Sequence, residues 1–139
     1  MAIKPAGYSG TPLIRKLGIK PGMKLLLLNA PSVYHSWLEE DIRKQLCTAG
    51  QKPDWMHVFA PDSKALESGM KKIVQYAKTN PQLTAWVSWY KKSSGIKTDI
   101  TEDTIRDMAL AVDLVDVKVC AINEQWSALK LVVPLAKRS

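Results

Sequence analysis

A chain of 139 residues, 46% hydrophobic and 24% charged, has the balance of one globular domain with a single core, which excludes a disordered, collagen-like or disulfide-scaffold chain. Twenty Lys and Arg against thirteen Asp and Glu leave a formal charge of +7, which favours anionic partners. The excess is spread evenly, +3 in residues 1–70 and +4 in residues 71–139, so no basic tail or arm marks a nucleic-acid binder.

Residues 1–139 are expected to form a single α/β domain, with an N-terminal arm over 1–10. Thr11-Pro12 reads as an N-cap with proline at the first helical position, opening a short helix to Leu17 that Gly18 closes. Pro21-Gly22 suits the centre of a type II turn into a first strand, Leu25 to Leu28, which is apolar on both faces like a covered central strand. Ser32 is then placed to cap a helix whose residues Tyr34, Leu38, Ile42, Leu46 and Ala49 recur at helical spacing, stopped by Gly50 and Pro53.

The second strand is Trp55 to Phe59, and Asp62 caps a helix with Leu66, Met70, Ile73 and Ala77 on its buried stripe, ended by Asn80-Pro81. The third strand is Leu83 to Tyr90. After a loop, Thr101-Glu102-Asp103 supplies a hydroxyl cap and acidic first-turn residues for a helix carrying Ile105, Met108, Ala109 and Val112. The fourth strand is Val115 to Ile122. The turn Asn123-Glu124-Gln125 is too short for a crossover, so the last strand, Trp126 to Val133, runs antiparallel, and Ala136 to Ser139 form a loose tail. The alternation predicts a three-layer sandwich: a mostly parallel, Rossmann-like sheet of about five strands with right-handed crossovers, the last strand antiparallel.

The segments Tyr8-Ser9-Gly10-Thr11-Pro12-Leu13, Lys16 to Gly22, Ser93-Ser94-Gly95, Thr98 to Glu102, Val115 to Ala121 and Trp126-Ser127 together resemble a bacterial family catalogued as domain of unknown function 3052. The resemblance covers nearly the whole chain and implies a small cytoplasmic bacterial protein, with no catalytic residue to carry over. It also implies glycine at 113, where this chain has Asp113.

In parallel sheets ligands gather beyond the carboxyl ends of the strands. The residues expected there are Asn29, Ser32 and His35 after the first strand, and Lys91, Lys92, Ser93, Ser94, Thr98 and Asp99 after the third. Two ammonium groups, several hydroxyls and the flexible Gly95 suit a phosphate or carboxylate, although the order of lysines and glycine is not that of a P-loop. Asn29 to Val33 contains no glycine and includes Pro31, so the close backbone approach that a dinucleotide or S-adenosylmethionine needs is missing and no cofactor is expected. His35 and His57 lack a third ligand at metal spacing, and Cys47 and Cys120 form no CxxC, so no metal site or disulfide is expected and a reducing cytoplasm fits.

The functional expectation is therefore a small anionic ligand, or a protein partner, held at the carboxyl edge. The alternatives are a basic nucleic-acid binder, disfavoured because Trp86, Trp89 and Tyr90 read as core rather than as a stacking platform, and a divergent methyltransferase-like domain. No membrane span is expected from apolar runs this short. A homodimer is a further expectation, through Trp126, should the last strand lie at an edge.

Overall fold

A computed structural model of the chain describes residues 11–48 and 50–138. The expected arm over 1–10, Ala49 and Ser139 lie outside the described residues. The elements are α1 (Leu13–Lys16), β1 (Leu25–Leu28), α2 (Tyr34–Trp37), β2 (Trp55–Phe59), α3 (Ser63–Thr79), β3 (Thr84–Tyr90), α4 (Glu102–Ala111), β4 (Val115–Ala121) and β5 (Trp126–Val132), with 3-10 turns at Arg43–Gln45, Lys92–Ser94 and Leu135–Lys137.

The strands form one sheet in the order β1-β2-β3-β5-β4. The β1–β2 and β2–β3 pairs are parallel, and β5 runs antiparallel to both β3 and β4, so the first four strands point the same way. This is the expected α/β sheet, with one refinement: β5 is inserted between β3 and β4. Trp126 is 5% exposed inside the sheet, so the edge position on which its use in a dimer depended does not exist. The outer strand of this hairpin is β4, whose register shifts between Asp116 and Lys118 and which exposes Lys118, two features that protect an edge from pairing with another chain.

Period-two alternation divides the strand residues between two cores. On one face Leu66, Met70 and Ile73 of α3 and Ile105 and Ala109 of α4 pack on Met56, Val58, Ala85, Val87, Leu129 and Leu131. Contact there is close enough that a Cβ at Gly69 would run into Val58 Cγ1. On the other face Leu13, Leu17, Tyr34, Leu38 and Ile42 cover Leu25, Trp55, Phe59, Trp86 and Trp126. The carbonyl of Leu17, which ends α1, accepts from both Trp55 Nε1 at 2.8 Å and Trp86 Nε1 at 2.9 Å, so one helix terminus satisfies two buried indoles. Gly18 and Gly22 then take positive φ, 71° and 87°, and Met23 N donates to Lys20 O across the expected turn.

The second helix departs from expectation. Among the described residues of this segment α-helical backbone is confined to the four residues of α2, Leu38 is extended (φ −95°, ψ 145°), and the helix starts after Val33 with no side-chain cap from Ser32. Three local features oppose a longer helix. Ser36 Oγ donates back to Val33 O, Glu39, Glu40 and Asp41 crowd three like charges together, and the Asp41 carboxylate accepts from the Arg43 backbone N–H, closing a local turn. The apolar spacing still does its work, since Tyr34, Leu38 and Ile42 are all buried, but an irregular chain delivers them. Leu46 then forms a parallel bridge with Leu25, which ties the crossover to the free side of β1.

The crossovers β1–β2, β2–β3 and β3–β4 all advance in the same direction across the sheet, yet the first lies on the opposite face from α3 and α4. They cannot all share one hand, which corrects the expectation of uniformly right-handed connections. The handedness rule arises from a stiff helix packing back on twisted strands, and the described residues between β1 and β2 contain no such helix.

The long helices begin as the sequence indicates. Asp62 accepts from Ala65 N, and Thr101 exchanges backbone bonds with Thr104 in a capping box. Asp113 sits at φ 63°, the left-handed conformation that glycine adopts freely, in the turn between α4 and β4. Of the tail expected to be loose, Ala136 to Ser139, the described part is tied: Lys137 pairs with Asp113 at 2.8 Å and Arg138 Nε donates to Val133 O. No described helix is long and apolar enough to cross a membrane.

Candidate functional site

Parallel strands bring their exits to one rim, and hydrogen bonds stitch those exits together. Asn29 Nδ2 donates to Phe59 O at the end of β2, Thr98 Oγ1 to Pro61 O, and Lys91 N to Gln125 O in the β4–β5 turn. Along this rim opens a groove of about 930 Å3, between Pro61-Asp62 after β2, Trp89-Tyr90 at the end of β3, Lys92 and the loop from Gly95 to Glu102.

Of the residues singled out from the sequence, the groove gathers Lys92, Thr98 and Asp99. Lys91, Ser93 and Ser94 belong to the adjoining turn, where Ser94 Oγ donates to Lys91 O at 2.6 Å and accepts from Ile96 N, holding the loop rather than offering itself to a ligand. Asn29, Ser32 and His35 stand on the β1 side of the rim and do not line the groove. Asn29 takes φ 58° and its amide is committed to β2. His35 Nδ1 is shut off from solvent without a hydrogen-bond partner among the described residues.

The charges facing the groove are of two kinds. Asp62 caps α3, Asp99 accepts from Ser63 Oγ, and Glu102 is paired with Arg106, which also reaches Asp103 and Asp116. Those bonds, to Glu102 first and Asp116 next, hold the Arg106 guanidinium well above its usual range. Each carboxylate is thus committed to an internal donor. Lys92 and Lys97 make no ion pair with any described residue, so their donors are unspent, whereas Asp62 and Asp99 keep their charge but hold neutral donors of the fold.

A second polar arrangement lies under the crossover, away from solvent. Tyr34 Oη is 2.9 Å from His57 Nδ1, and His57 Nε2 is 2.6 Å from Ser88 Oγ, all three residues being fully buried. The ring of His57 stacks on Phe59 at 4.4 Å and meets Tyr34 and Trp55 edge-on. Burial pushes His57 down to about 3 and Tyr34 upward, so both are neutral at physiological pH. The row has the bonding order of a nucleophile with its base, but no surface reaches Ser88, and its role is packing. The sequence carried a signal for it: His57 and Ser88 are the polar residues that point into this face from the apolar strands β2 and β3, where Phe59 pairs with Ser88.

No protein-family model and no curated protein matches the sequence. Among solved structures, the fold is similar to that of a protein in the NADB-Rossmann superfamily from Streptococcus agalactiae, with a TM-score of 0.50 and 9% sequence identity over 92% of this chain and 70% of that one. At that identity the likeness shows the fold alone, a Rossmann-like α/β sheet.

Proposed function

We propose that this protein binds a small anionic ligand in the groove at the carboxyl edge of β2 and β3. The observation that carries the reading is the imbalance of commitment: three carboxylates bonded internally, two lysines bonded to nothing described, on the wall of one cavity. Apolar Pro61, Ile96 and Ile100 lower the local dielectric, which strengthens attraction between those ammonium groups and an anion. A dinucleotide reading has less support. The doubly wound site lies beside a central first strand where the order of parallel strands reverses, whereas here β1 is outermost, the parallel strands β1, β2, β3 and β4 follow one another in one direction across the sheet, and Asn29 to Val33 offers no glycine.

A panel of phosphate- and carboxylate-bearing metabolites tests this by thermal shift. A binder at a hundred times its Kd stabilises by about 2.7 kcal/mol, enough to raise Tm by several degrees in a domain of this size. Lys92→Ala combined with Lys97→Ala removes the shift while leaving the unliganded Tm near wild type, because both side chains are exposed. A shift that survives the double substitution, or none across the panel, contradicts the reading.

A further inference from the structure

Trp55 and Trp86 donate their indole N–H groups to Leu17 O, as buried indoles ordinarily must. Trp89 does not. It is 8% exposed, and its Nε1 has no acceptor among the described residues, yet that atom is not sealed, since the one described side-chain polar atom closed off without a partner is His35 Nδ1. An uncommitted donor on a side chain nine-tenths buried therefore opens outward, and the surface that Trp89 lines is the groove. Tyr90, the next residue of β3, turns its ring to the other core, where it stacks on Trp126 at 4.1 Å and 28°; it is only partly buried and also lines the groove, which therefore meets both faces of the sheet at the rim.

We infer that the groove takes a phosphate monoester bearing a flat apolar group, with Trp89 Nε1, Lys92 and Lys97 donating to the phosphoryl oxygens and the flat group lying along Tyr90. This rests on the reading of the groove as an anion site and specifies its ligand. Two free ammonium groups match a phosphate monoester, which carries close to two negative charges at neutral pH, better than a carboxylate, which carries one. Held in the core near the end of β3, the indole supplies direction that flexible lysines lack. The ring of Tyr90, continuing the stack begun by Trp126, and the exposed Ile96 on the groove wall offer apolar surface that inorganic phosphate cannot use.

Calorimetric titration with phenyl phosphate, inorganic phosphate and benzoate tests the inference. Phenyl phosphate is expected to bind at least tenfold more tightly than either fragment, and Trp89→Phe, which keeps the ring but not the donor, is expected to weaken it about tenfold. A second readout needs no variant: in the wild-type protein the Trp89 indole N–H proton resonance moves on saturation with phenyl phosphate, while those of Trp55 and Trp86 stay in place. Benzoate binding as tightly as phenyl phosphate, or an unmoved Trp89 resonance at saturation, overturns the phosphate monoester while leaving an anion site standing. Binding of none of the three overturns both.

Discussion

Replacing His57 with Phe is expected to lower the unfolding free energy by about 3 kcal/mol, since it leaves the Tyr34 hydroxyl and the Ser88 hydroxyl buried with no partner, at roughly 1–3 kcal/mol for each. Water cannot supply a replacement partner, because Tyr34 and Ser88 are both fully buried. The stability is lost to unsatisfied groups rather than to a missing favourable contact, which separates this effect from simple packing damage. Combining His57→Phe with Tyr34→Phe and Ser88→Ala removes every orphan, and more than half of the lost stability is expected to return. Urea unfolding of the two variants reads the difference. A single variant within about 1 kcal/mol of wild type, or a triple variant no better than the single, contradicts this account of the network.

Acid should destabilise the protein through the same histidine. In the folded state His57 binds a proton only near pH 3, because burial disfavours its charged form, whereas in the unfolded chain it titrates at its ordinary 6.5. The unfolded state therefore holds the extra proton between these values. The contribution is complete above pH 6.5 and is lost as pH falls towards 3, at roughly 1.4 kcal/mol per pH unit. The groups packed on the ring are Tyr34, Ser88, Trp55 and Phe59, none of them charged, so nothing offsets the protonated form. His57→Gln should remove this component. Between pH 6 and 4 its stability should fall by about one proton's worth less per pH unit than that of the wild type, and parallel pH profiles would show that His57 is not the group responsible.

Where local chemistry dictated the outcome, the sequence could be read directly. Asp62 and Thr101 mark the starts of α3 and α4, Asn80-Pro81 the end of α3, and the short turn at Asn123 the reversal into β5. Where the outcome depended on long-range competition, it could not. Spacing of four at Tyr34, Leu38 and Ile42 suggested a helix, but burial on a sheet face requires only that the side chains arrive, and Ser36 and Asp41 supply bonds that compete with helical ones. Strand order was hidden for the same reason. The hairpin fixes β5 beside β4 but not the insertion of its other side against β3, although the contrast between charged Asp116 and Lys118 in β4 and buried Ala128, Leu129 and Leu131 in β5 already distinguishes outer from inner strand.

The candidate site follows this pattern. Residues close in sequence to β3, namely Lys92, Thr98 and Asp99, meet in the groove, whereas Asn29, Ser32 and His35 do not, because two strand spacings separate β1 from β3. Trp89 and Tyr90 look like core in the sequence and are largely so. Their position at the very end of β3 gives them a second role on the rim, which composition alone does not reveal.

The most direct test of the proposed site is a backbone amide map of the labelled protein under titration with phenyl phosphate. Saturable shifts should concentrate at residues 62 and 89–102, around the groove. Shifts centred instead on the smaller basic hollow at the opposite end of β1, where Lys24 and Lys44 stand near Thr48 and Gln51, or spread evenly over the exposed lysines, would contradict a site at the carboxyl edge.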